Sequence, residues 1–175
     1  MDTILEIIKV TVPALIVYLT VKTLLTNYLN ANLRIEQQKN IQQTQKDKTA
    51  LKLQALERLI VFLERSNPYQ MRMRLEVPEI NGKQLATSMV IAINQEFDHN
   101  ISQQLFVSSI LWQIITTAKN QTIEIILKAA ADIKAEDDAS QLMTKMDQYF
   151  SSLSVLPMDS AKLAIRKEYE STPVF

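Results

Sequence analysis

Apolar and polar positions alternate along this chain in three ways, and each predicts a different kind of element. From Ile4 to Leu29 the residues are mostly Ile, Leu, Val and Thr, and between Lys9 and Arg34 the only charge is Lys22. A helix apolar on all sides has to be buried, in protein or in lipid. About 20 such residues at 1.5 Å rise cover roughly 30 Å of bilayer hydrocarbon, so the pattern predicts a transmembrane anchor over 1–29. A central Lys opposes insertion by about 2.5–3.5 kcal/mol. Lys9 and Lys22 lie off-centre, where their stems can carry the charge to the headgroups. Pro13 is tolerated in such a helix as a kink.

The second pattern is polar. Residues 30–49 are rich in Asn, Gln and Lys, and Leu33, Ile35 and Ile41 are too sparse to form a seam. With no Pro or Gly in the run, a solvated helical stalk is predicted, about 30 Å long at 1.5 Å per residue, with a flexible linker as the alternative.

The third pattern begins near Ala50. Leu53, Leu56, Ile60 and Leu63 recur at helical spacing, and Leu51, Ala55, Leu59 and Phe62 widen the stripe. This helix is expected to stop at Ser66-Asn67-Pro68. Met71 to Val77 then alternates apolar and charged residues, the mark of an extended segment, bounded by Pro78 and the lone Gly82. Without a second strand to pair with, it reads as a packed connector. Helices follow over Lys83–Gln104, over Ser109–Ile133 with Ser108 as its cap, and through Leu142, Met146 and Phe150. After Pro157 a short helix carries Ala161, Ile165 and Tyr169. The fold class is therefore all-α, with an N-terminal transmembrane helix (1–29), a polar helical stalk (30–49) and a helical bundle (50–175) containing one extended connector.

Charge gives the anchor a direction. Net charge is zero over 175 residues, yet from Arg34 to Arg74 basic side chains outnumber acidic ones nine to four, and from Glu76 onward acidic ones prevail thirteen to eight. Positive residues stay inside, so the N-terminus is expected outside the cell inner membrane and the bundle in the cytoplasm. Asp2 in place of a basic cluster argues against a cleaved signal peptide. The basic stretch lacks aromatic neighbours, and nucleic acid is not expected as a partner. At 100° per residue Glu6, Lys9, Pro13, Thr20, Thr23 and Asn27 share one side of the anchor, a stripe suited to pairing with another membrane helix.

Two segments carry a family resemblance. One is Leu51-Lys-Leu-Gln-Ala-Leu-Glu-Arg-Leu-Ile-Val-Phe-Leu-Glu-Arg65. The other is Gln95-Glu-Phe-Asp-His-Asn-Ile-Ser-Gln-Gln-Leu-Phe-Val-Ser108, followed by Trp112. With the N-terminal apolar run they resemble an uncharacterised family of Bacteroidetes proteins. The resemblance implies one N-terminal membrane helix and a cytoplasmic all-helical domain, and no activity.

Catalytic signals are sparse. His99 is the only histidine and cysteine is absent, so any metal site would depend on carboxylates, and none is expected. No Gly-rich loop offers a phosphate cradle, and no cofactor is expected. Glu96, Asp98, His99, Asn100 and Gln103 read as a polar cluster fixing a helix junction. The alternative is that they serve a small-molecule sensor or an enzyme. The expectation from sequence is a membrane-tethered interaction or scaffold module, not an enzyme, that meets the bilayer and a protein partner or its own copy.

Overall fold

The computed structural model describes the backbone of residues 2–172 and the side chains of residues 9, 11, 12 and 14–172. Among these it is all-helical: α1 (Asp2–Arg65), α2 (Pro68–Leu75), α3 (Gly82–Asn100), a 3₁₀ turn (Ile101–Leu105), α4 (Ser109–Ala131), α5 (Ala139–Ser151) and α6 (Pro157–Glu170). An isolated antiparallel bridge joins Asn81 and Asp138. The chain divides into two compact units, Met1–Asp47 and Lys48–Phe175.

The first unit is helical throughout its described residues, and its described side chains are exposed. Among the described residues no helix is long and apolar enough to cross a membrane. The anchor expected over 1–29 draws on Ile4, Leu5, Ile7, Ile8 and Val10, and these side chains, with Glu6 and Pro13, lie outside the described residues.

The second unit is organised around α4, whose two ends enter two different cores. Its first half sends Leu111, Ile115 and Ala118 against Leu56, Leu59, Phe62 and Leu63 of α1 and against Met158, Ala161 and Ile165 of α6. Its second half sends Ile126 and Ala129 against Met71 of α2, Leu85, Met89 and Ile93 of α3, and Leu142 and Met146 of α5. Each fully buried large apolar side chain contributes about 1.5–3 kcal/mol, so α4 is the spine on which both clusters depend. Phe62 meets Phe97 edge to face at 5.8 Å, and Phe97 stacks on Trp112 at 5.2 Å.

The stretch predicted as an extended connector is instead the helix α2. Asn67 accepts a hydrogen bond from the Tyr69 amide, Pro68 occupies the first helical position, and Arg72 Nε donates to Glu76 Oε2 at 2.6 Å, four residues on. Met71 is buried and Leu75 half-buried, while Met73 is 81% exposed. In so short a window the pair Met71 and Leu75 satisfies both a period of two and a spacing of four, and the cap decides between them. The backbone becomes extended at Glu76, and a turn follows in which the Ile80 amide donates to the Val77 carbonyl at 3.2 Å. The second predicted helix also ends earlier, at Asn100, and tightens into the 3₁₀ turn instead of running to Gln104.

Gly82, the sole glycine, marks a close approach. A Cβ there would lie 2.6 Å from Ile133 Cδ1 and 2.8 Å from the Asp138 carbonyl oxygen. Its amide donates to the Asp137 carbonyl at 2.8 Å, and the Asn81–Gln84 capping box starts α3 beside it. Helix α3 is thereby pinned to the loop between α4 and α5.

Candidate functional site

A broad concave surface of the second unit lies between the end of α1 and α6. The two helices run antiparallel, tied at one end by Lys52 and Glu168 at 3.1 Å and at the other by Glu64 and Lys162 at 2.7 Å. Between these ties is an open groove of about 670 Å³. Leu53, Leu56, Ile60 and Ile165 form its apolar floor. Glu57 and Glu64 rise on the α1 wall, and Asp159, Lys162 and Arg166 on the α6 wall. Leu163 and Tyr169 border it at 52% and 53% exposure. The signal for this groove in the sequence is the width of the α1 stripe, since Leu53 and Ile60 exceed what the core covers.

Glu168 holds the closed end together. Its carboxylate accepts hydrogen bonds from the Ser108 amide at 2.9 Å and the Ser108 hydroxyl at 2.5 Å, besides the Lys52 ion pair. Partial burial pushes the Glu168 carboxyl up, but the Ser108 donors and the Lys52 ammonium together outweigh it and hold the group below the ordinary glutamate range. Ser108 Oγ in turn accepts from the Leu111 amide at 3.1 Å, capping α4. One carboxylate thus joins α1, the start of α4 and α6.

The residues around His99 are placed differently. Glu96 pairs with Arg65 at 2.7 Å, and two shallow clefts of about 390 and 300 Å³ flank that ion pair, both lined by His99. Asn100 is buried and donates through Nδ2 to the Glu96 carbonyl at 2.8 Å, and Gln103 Nε2 donates to Ser102 Oγ at 3.2 Å. Asp98 and His99 are exposed. The structure therefore joins Asn100 to the Glu96 backbone and turns Glu96 towards α1, and it leaves Asp98 and His99 facing solvent. Among the described residues no group of three or more His, Asp or Glu is placed to hold a metal ion. Arg74 Nη2 donates to the Arg65 carbonyl at 2.6 Å and so completes the end of α1.

Of the stripe on the first unit, Lys9, Thr20, Thr23 and Asn27 are exposed, and Glu6 lies outside the described residues. Thr20 Oγ1 donates to the Ile16 carbonyl and Thr23 Oγ1 to the Leu19 carbonyl, each at 2.8 Å. Both hydroxyl protons are thus committed within the helix, and each oxygen keeps lone pairs that can only accept.

Over residues 2–172 the sequence matches the family described as Family of unknown function (DUF7935). The chain belongs to this family. No curated protein and no solved structure matches it. The groove and the Ser108–Glu168–Lys52 junction both fall within the part of the chain that DUF7935 covers.

Proposed function

We propose that this DUF7935 member is a single-pass, membrane-anchored helical interaction module. Residues 1–29 sit in the cell inner membrane with the N-terminus outside, and the second unit works on the cytoplasmic side as a binding or scaffold surface without catalysis. One observation carries the reading: Leu15, Ile16, Val17, Leu19, Val21, Leu24, Leu25 and Leu29 are all about half exposed or more, on every side of α1. Water does not support such a surface, and a patch of this size marks a protein or membrane contact. The apolar sequence continues back through Val10 to Ile4, which brings the run to the length a span requires. The resemblance to Bacteroidetes proteins with one membrane helix points the same way. The α1–α6 groove, apolar with a charged rim, suits helix-in-groove recognition.

Cell fractionation tests the proposal. Full-length chain is expected in the membrane fraction, resisting alkaline extraction and released by detergent, and a chain lacking 1–29 in the soluble fraction. Full-length chain that stays soluble without detergent contradicts it.

A further inference from the structure

We infer that the α1–α6 groove is the interface of a homodimer in which two copies pack side by side in the same direction. The inference rests on the proposed interaction role and names its partner. The α1 wall carries Glu57 and Glu64, and the α6 wall carries Lys162 and Arg166. Lys162 is already satisfied by Glu64 at 2.7 Å and Asp159 at 3.3 Å. Glu57 and Arg166 are exposed, and among the described residues their side chains make no ion pair or hydrogen bond. Counting from the Glu64–Lys162 tie to the Lys52–Glu168 tie puts both at about the same level of the antiparallel pair. An unpaired acid on one wall thus stands level with an unpaired base on the other.

Such a surface complements itself under a two-fold axis running along the groove. That axis lays the second copy's α6 over the first copy's α1, so Glu57 of each copy meets Arg166 of the other. The four helices then enclose Leu53, Ile60, Leu163 and Tyr169 as a bundle seam. An axis across the groove instead sets α1 on α1 and brings Glu57 and Glu64 against their own copies, which like-charge repulsion disfavours. The favoured axis keeps the two α1 segments running the same way.

Charge reversal tests this. Full-length chain, Glu57→Arg, Arg166→Glu and the double variant are purified in detergent micelles, and the dimer dissociation constant is measured by sedimentation equilibrium. Neither side chain supports the fold, so all four are expected to melt at the same temperature. Each single reversal should weaken the dimer about tenfold or more, and the double reversal should return it to within about threefold of the parent. A monomer at every concentration overturns the inference, as do single reversals without effect, a double reversal no better than the singles, or a groove that prefers an unrelated amphipathic helix. Flotation of the same four chains on phospholipid vesicles is read separately. Loss of flotation by the parent chain counts against anchoring, while a change in dimerisation alone counts only here.

Discussion

Leu19 and Leu59 belong to the same helix and carry the same side chain, yet Leu19 is 51% exposed and Leu59 is fully buried. The difference lies in their neighbours along the sequence. Around Leu59 the apolar residues form a stripe, and α4 and α6 cover it. Around Leu19 they run all the way round, so no single protein face could cover them. An apolar stripe specifies an intramolecular partner, and an apolar cylinder specifies a surrounding medium. The first unit and the second therefore satisfy the same hydrophobic requirement by different means, one inside the fold and one, on the proposed reading, in lipid.

Deleting residues 1–29 should abolish membrane partitioning and leave the far-ultraviolet helical signal and cooperative melting of the second unit intact. Collapse of the second unit on deletion would show that the two regions are not separate in the way described. Next in size, Phe62→Ala should cost about 3–5 kcal/mol in chemical denaturation, because the ring is fully buried and packs on Phe97. The matching change in the first region, Leu19→Ala, should leave that denaturation curve where it was.

Gly82→Ala comes third, at about 1–3 kcal/mol, since the added methyl must displace both the Asp138 carbonyl and the end of the Ile133 side chain. Ser108→Ala should follow at about 1 kcal/mol through the lost cap of α4. It should act together with pH. The Glu168 carboxyl is held below its ordinary range, so its contribution is complete above the ordinary carboxylate range and disappears as pH falls through the depressed value. Thermal melts between pH 7 and pH 3 should show a shallower acid loss for Glu168→Gln than for the parent. Tyr69 supplies the alkaline counterpart. Its hydrogen bond to Asp147, then burial and the Asp147 charge, push it up to about 12, so its contribution holds below pH 10 and disappears as pH rises through about 12. The smallest effect expected is that of His99→Ala, an exposed side chain whose removal should leave the melting temperature unchanged within error.

Much of the helical layout was legible because period, caps and breakers agreed. Pro68 and Pro157 stand where helices begin, and Ser108 caps α4. The helix α2 was not legible, because a seven-residue alternation imitates a strand and Asn67 before Pro68, which starts the helix, equally marks the end of the one before it. It also missed the role of Gly82, because a close approach between α3 and the α4–α5 loop is a property of tertiary packing. The candidate site was less legible still. His99 stands out by its chemistry, but it faces solvent, while Asn100 bonds the Glu96 backbone and the Glu96 carboxylate pairs with Arg65 of α1. The groove is built from residues about a hundred positions apart, and in the sequence it showed only as a stripe wider than one neighbour could cover.

The central claim is that the apolar cylinder of α1 lies in lipid while the second unit stands in water. The chain contains no cysteine, so single cysteines can report on each region without background. Leu19→Cys and Leu127→Cys, both exposed positions, are reconstituted into phospholipid vesicles and treated with a membrane-impermeant maleimide. The account predicts rapid labelling at 127 and none at 19 until detergent is added. Equal labelling at both positions in intact vesicles would contradict it.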